Sequence, residues 1–247
     1  MNPKLRTVDK YEPPYPLNKF PSDFPARLGK EVVYLLATRK SPRIEGPDWE
    51  EIFQRVIDGR WKPSNVGLDD VLLEQTAWSA KTVKSSNPHD VKNVRLICGR
   101  NSPAYSFSHS DILAEDPTEI GQMVLSIWNE RVTAVRSKYS HLRSVVLIKS
   151  EDLLDLSVFE YDTIMYDTKS CVWKWNPRKN LEGFIDGKHK FTWQPHGSQF
   201  TIVEDVPANR LALSIQSPGL LGFDSVLKTV GFSADWIKVY GDRKDTP

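Results

Sequence analysis

Gly67-Leu68-Asp69-Asp70-Val71-Leu72-Leu73-Glu74-Gln75-Thr76-Ala77-Trp78-Ser79-Ala80-Lys81-Thr82-Val83-Lys84 is the stretch from which the rest of the chain is best understood. A glycine opens it and two acids precede an apolar run. After a polar Glu74-Gln75-Thr76 pause, a second run carries two lysines, which is the pattern of a β-hairpin. Side chains alternate along a strand, so Ser79 and Lys81 share one face while Trp78, Ala80 and Thr82 share the other. Asp69 lies twelve residues before Lys81, and folding the hairpin brings the two together. Asp70, turned to the opposite face from Asp69, is its rival. An acid and a lysine converging on adjacent strands make a candidate metal-and-phosphate site.

Composition sets the outer limits. With 247 residues and 39% hydrophobic content the chain has material for one sizeable core. We read 1–247 as a single domain, with an extended proline-rich arm over 1–25, a core over 26–150 and a β-rich part over 151–247. The 33 basic and 32 acidic residues nearly cancel, so any nucleic-acid contact must come from a local basic groove. Cys98 and Cys171 fit no zinc spacing. There is no apolar stretch of about 18 residues and no charged leader ahead of an apolar core. The expectation is a reduced, soluble, cytoplasmic protein with no membrane partner.

On either side of the hairpin the periodicity is readable. Ala26 to Thr38 has Leu28, Val32, Leu35 and Leu36 at helical spacing, with Glu31 on the side that should face the core. That carboxylate is either an i,i+4 partner of Arg27 or a metal ligand. Asp48 to Ile57 reads as a second helix, with Asp48 as N-cap and Glu51 completing a capping box, so Glu50 and Glu51 rank behind Glu31 as ligands. Pro63-Ser64-Asn65 reads as the turn into the hairpin, and Asn93 to Cys98 as a further strand. Asp116 to Tyr139 is the longest predicted helix, capped by Asp116 with Pro117 in its first turn. Val145-Val146-Leu147-Ile148 then has the continuous apolar character of a strand buried on both faces. The two strands, Ala77 to Lys84 and Arg143 to Lys149, thus become parallel neighbours joined by a right-handed crossover through the helix. Beyond Phe159 the strands Cys171 to Trp175, Lys190 to Trp193, Phe200 to Val203 and Leu211 to Ile215 follow, with Trp173, Trp175 and Trp193 as packing residues. The fold class is mixed α/β (α+β): a central mixed sheet flanked by helices, with an antiparallel C-terminal β region.

Leu68-Asp69-Asp70-Val71 followed by Trp78-Ser79-Ala80-Lys81-Thr82 resembles the paired motif of the PD-(D/E)xK nuclease superfamily, and most of all its type II restriction endonucleases. In that pattern a proline-aspartate on one strand meets an acid-x-lysine on the next. Here Leu68 replaces the proline and Ser79 stands at the second acid. Some restriction enzymes with such a serine draw their second carboxylate from a helix. The order helix, hairpin, helix, strand also resembles the nuclease core, with Asn93 to Cys98 as an insertion.

The resemblance implies a Mg²⁺-dependent endonuclease acting on double-stranded DNA, with a homodimer suited to a two-fold site cut in both strands. Asp69 would hold the metal with Glu31 or Asp70, Ser79 would sit at the acid position, and Lys81 would lie beside the attacking water. Glu74 and Asp90 are spare acids. Arg100, Asn101 and Ser102 in a glycine-initiated loop, Lys84, and Gln194, His196, Ser198 and Gln199 around a second glycine are the candidate DNA contacts. A DNA-binding module on an inactive nuclease core and a repair or junction nuclease are the alternatives.

Overall fold

The computed structural model describes residues 11–62, 67–108, 112–238 and 240. Helices α1 (Phe24–Thr38) and α2 (Gly46–Ile57) lead into β1 (Arg60–Trp61), β2 (Val71–Leu73) and β3 (Thr76–Lys84). Next come β4 (Asn93–Arg100), the short α3 (Pro103–Phe107), α4 (Pro117–Arg136), β5 (His141–Lys149) and β6 (Asp155–Asp162). The remainder is β7 (Val172–Trp175), β8 (Leu181–Ile185), β9 (Lys188–Gln194), β10 (Gln199–Asp205), β11 (Leu211–Ser214), α5 (Phe223–Thr229) and a 3-10 turn at Ala234–Trp236. The turn expected at Pro63-Ser64-Asn65 and the first ten residues of the arm lie outside the described residues.

Two sheets result. The first is mixed, in the order β1-β2-β3-β5-β6-β11, and the second is antiparallel, in the order β4-β10-β9-β8-β7. β2 and β3 form the expected hairpin, and β3 runs parallel to β5 from Thr76 opposite His141 to Lys84 opposite Lys149. The apolar run of β5 explains its central place. Val145 and Leu147 pack with α1 and α2 on one face, while Val146 and Ile148 pack with α4 on the other. Each such side chain, fully buried, contributes about 1.5–3 kcal/mol. The second sheet lays Leu181, Phe191, Trp193, Phe200 and Ile202 against α4 and the first sheet, while its outer face carries polar residues of which Thr192 and Thr201 are buried. Gly121 of α4 provides a slot there, since a Cβ at that position would lie 2.2 Å from the indole of Trp173.

Several expectations need correction. β4 interrupts the order of the first sheet because it leaves it altogether and pairs with β10, while β11 from the C-terminal part returns to the first sheet beside β6. Helix α2 begins earlier than expected. Glu45 caps it and Asp48 reciprocates in the capping box, with Pro47 in the first turn, so Asp48 is not the N-cap and Glu51 is free to pair with Arg55. For α4 the expected cap holds, with Asp116 accepting from the Thr118 N–H at 2.8 Å.

The described part of the arm packs on its own chain. Tyr15 inserts its ring beside Trp78 and donates its hydroxyl to Glu160 at 2.9 Å, while the Asn18 side chain brackets the backbone of Glu160 from both sides. Glu160 also receives the Trp78 indole N–H at 2.6 Å and the Arg143 guanidinium at 3.3 Å. At the other terminus α5 has no buried residue. Leu221 donates its N–H to the carbonyl of Ala37 at 2.8 Å, and Phe223, Trp236 and Tyr240 stay largely exposed. Among the described residues no helix is long and apolar enough to cross a membrane. Cys98 and Cys171 are buried free thiols.

Candidate active site at the central hairpin

The backbone ladder between β2 and β3 runs as far as Asp70, whose N–H donates to the carbonyl of Trp78 at 2.9 Å. One rung further, the Asp70 side chain takes over, and Oδ2 accepts the Ala80 N–H at 3.2 Å. This carboxylate is only 5% exposed. Burial pushes its pKa up to about 6 from 3.8; the charge of Lys81 opposes that rise, and the nearby carboxylates of Glu50 and Asp69 add to it. The charges of Lys81 on β3, Glu50 on α2 and Asp69 thus all act on the Asp70 carboxylate.

Asp69, the expected ligand, is buried as well, 2% exposed. Its Oδ2 lies 2.5 Å from the ammonium of Lys62, which itself sits 6.0 Å from the ring centre of Tyr139. Asp69 thus ties Lys62 to the start of the hairpin. Glu31 is corrected. It pairs with Arg55 at 2.8 Å on the outer side of α1 and α2, where Arg55 also meets Glu51. Arg27, its expected partner, pairs with Asp58 instead. Helical spacing put Glu31 near the apolar stripe, yet the neighbouring helix supplies an arginine at its rim, and a long carboxylate reaches that cation without entering the core. Ser79 is fully buried and donates its hydroxyl to the carbonyl of Gly67 at 3.1 Å, pinning the segment ahead of the hairpin to β3. Glu74 occupies the hairpin turn with φ of 51°, and Asp90 accepts from the side chain of Asn87.

The helical carboxylate beside Asp70 is Glu50 of α2, held by the Trp61 indole N–H at 3.0 Å. The signal was order along the chain: α2, not α1, connects directly to the hairpin. Arg131 of α4 is a second residue that sequence reasoning missed. It sits on the stripe of Val124, Trp128 and Val135, a cation at a spacing that points inward. Its Nη1 donates to the Cys98 carbonyl at 2.6 Å and to Asn101 Oδ1 at 3.1 Å, and burial holds its pKa below the usual value while the charge of Asp70 opposes that fall. Gly99 makes room for it. Its φ is +104°, and a Cβ there would lie 2.6 Å from the guanidinium.

The expected DNA contacts divide. Asn101 is fully buried, donating to the Val124 carbonyl at 2.9 Å and accepting on its own carbonyl from the Trp193 indole at 2.7 Å, so it is a clamp and not a base reader. Ser102 caps α3 by accepting from the Tyr105 N–H. Lys84 pairs with Glu151. Arg100 and His196 are exposed, Gln194 lies opposite Gln199 across the β9–β10 hairpin, and Ser198 forms the turn, where its carbonyl accepts the Asn101 N–H at 2.8 Å.

Among the described residues no three of His, Cys, Asp and Glu converge into a metal cluster. Mg²⁺ does not require one, because it is commonly held by one or two carboxylates with waters and substrate phosphate completing the shell. Asp70 and Glu50 suit it on that count. A buried acid whose proton affinity is raised by burial and by a second acid gains most from a nearby cation. The chain matches no family model, no curated protein and no solved structure.

Proposed function

We propose that the chain is a Mg²⁺-dependent nuclease of the PD-(D/E)xK kind that hydrolyses phosphodiester bonds of double-stranded DNA, in its finer form a type II restriction enzyme working as a homodimer. The observation that carries this reading is the buried Asp70 carboxylate at the mouth of the hairpin, where the charges of Lys81 on β3 and Glu50 on α2 act on it, with β3 parallel to β5 after the crossover through α4. Asp70 and Glu50 are the residues that would hold the metal. When bound, Mg²⁺ supplies Lewis-acid polarisation of a phosphoryl oxygen and a more acidic water. Lys81 adds a positive charge on the same strand, which favours hydroxide as nucleophile and offsets negative charge building on the phosphate. Arg131, close enough for its charge to reach Asp70, adds to the positive field.

Incubation of the full chain with long mixed-sequence DNA, with and without Mg²⁺, tests the reading. Discrete Mg²⁺-dependent bands support the site-specific enzyme. A smear supports a repair-type or nonspecific nuclease, and intact DNA with every divalent ion tried rejects the reading. One observation favours a second reading, a DNA-binding module on an inactive core: the Ser79 hydroxyl is committed to Gly67 where the family pattern has an acid. Duplex binding without cleavage selects it.

A further inference from the structure

The second sheet has one open face, and its composition is unusual for a surface that merely meets water. A groove of about 610 Å³ runs over it, and Arg95, Arg178, Thr192, Gln194 and Gln199 line it together with the apolar side chain of Ile97. Ile97 is 56% exposed in the middle of this polar lining. Arg95 is aimed, not free, since its Nη2 donates to Thr192 Oγ1 at 2.8 Å. Gln194 and Gln199 sit directly opposite each other in register, so two amides project side by side. The acid in the groove, Glu182, is occupied by the Asn176 side chain at 2.8 Å.

Register places the groove. Leu181 pairs with Trp193, and Gln199 pairs with both Gln194 and Arg100. The β7–β8 turn that carries Arg178, the β9–β10 turn and the last residue of β4 therefore lie at one end of the sheet. That end is fastened to α4 through a short chain of hydrogen bonds. Ser198 accepts from Asn101, and Asn101 accepts from Arg131 of α4.

We propose that this open face reads base edges of duplex DNA, with the β9–β10 ribbon entering the major groove and Arg178, Gln194 and Gln199 as the reading side chains. The inference rests on the nuclease reading for its choice of ligand. Three features favour DNA. Three arginines, Arg95, Arg178 and Arg100, stand at the groove and its end against the one carboxylate of Glu182, so positive charge is in excess there. Arginine and glutamine form bidentate pairs with guanine and adenine, and an apolar side chain suits the thymine methyl. A two-stranded β-ribbon also fits the major groove, which is about 12 Å wide. The inner-face packing and the Asn101 clamp keep the ribbon rigid, and a rigid element is needed for base discrimination.

Enrichment from a pool of random-sequence duplexes tests this. The full chain carrying Asp70→Asn keeps the DNA intact, with cleavage by the unaltered chain scored in parallel. The Asp70→Asn chain enriches a defined motif. Added Arg178→Ala, or Gln194→Ala with Gln199→Ala, flattens at least one base position by about tenfold while affinity for unrelated duplex changes little. Arg178→Lys, which keeps the charge and loses the fork, flattens the same position as Arg178→Ala. Melting curves that match the parent confirm that these exposed substitutions leave the fold intact. An unchanged motif in all three variants, no motif in the parent, or a uniform loss over all sequences overturns the proposal. A motif that disappears in the variants, from a chain that never cuts, rejects the nuclease reading and leaves this one standing. Cleavage at a site the variants still prefer does the reverse, and absence of duplex binding rejects both.

Discussion

Asp70, just ahead of β2, and Glu160 of β6 are both buried acids, 5% and 1% exposed, and burial pushes the pKa of each upward. Their surroundings differ. Glu160 receives donors from Tyr15, Trp78, Arg143 and Asn18, so almost every lone pair is occupied by a rigid group. Asp70 receives the Ala80 N–H and has two further acids for company. Equal burial therefore means opposite things. A saturated carboxylate is a structural clamp, because any newcomer must displace a bond already made. An acid that accepts one backbone N–H among like charges retains affinity for a cation, and on this contrast rests the proposal of Asp70 as the working residue.

Removing each acid should make the contrast quantitative. Glu160→Ala removes the closer and fully buried carboxylate of Arg143, leaving Asp162 at 4.0 Å, and the expected cost is about 3–5 kcal/mol, read as the shift in a urea denaturation midpoint. A cost below about 1 kcal/mol would show that the clamp is no more than a surface pair. Asp70→Ala should lower Mg²⁺-dependent cleavage by about 10³-fold, the scale on which a fixed charge in a water-poor site acts, with the melting curve retained. Asp69→Ala is the milder change because its partner is Lys62. Equal loss of single-turnover cleavage in the two variants would return Asp69 to the leading position.

A stability profile against pH sharpens the same comparison from the other side. The Asp70 pKa is raised to about 6 from an unfolded value of 3.8. The folded state therefore binds the proton more tightly, and below pH 3.8 the group imposes no penalty. As the pH rises through about 6 the penalty reaches its full size, at most roughly 3 kcal/mol at about 1.4 kcal/mol per unit. Asp70→Asn should accordingly be more stable than the parent at pH 8 by about 1–3 kcal/mol, with the gain gone near pH 4. A gain that persists at low pH would assign it to packing and not to charge. The smallest effect is reserved for Glu31→Gln. Losing one partly exposed pair with Arg55 should cost roughly 0.2–1 kcal/mol, and cleavage should stay at the parent rate, in contrast to a larger loss in Glu50→Gln. A fall in cleavage confined to Glu31→Gln would reverse the choice of helical acid.

Much of this fold was legible. The apolar run at Val145 to Ile148 and the Asp116 cap give β5 and α4, and with the hairpin they give the parallel crossover. The destination of β4, read as an insertion in the core, becomes plain only from its burial. Val94, Leu96 and Cys98 alternate with exposed Asn93, Arg95 and Ile97, the mark of a one-faced strand that has no place in a sheet covered on both sides. The site was half legible. Lys81 and a carboxylate from the pair Asp69-Asp70 follow from alternation, but which of the two reaches Lys81 depends on how the chain enters the strand, and single-residue register is weakly encoded. Asn101 shows the opposite difficulty. A polar residue in a loop looks solvated until a helix carbonyl, an inward arginine and an indole are found around it.

The Tyr15 to Glu160 hydrogen bond spans 145 residues. Contacts between such distant parts of a chain close the largest loops and are rewarded last. The clamp cannot assemble before β6 is in place beside β5, since Glu160 sits opposite Val145 in that pairing. During synthesis from the N-terminus, the arm and both leading helices therefore leave the ribosome well before the acid that fastens them. Until it arrives, the aromatic side chains of Phe20, Phe24, Phe53 and Trp78 lack their closing edge, and apolar surface that β6 later helps to seal stays open to other chains.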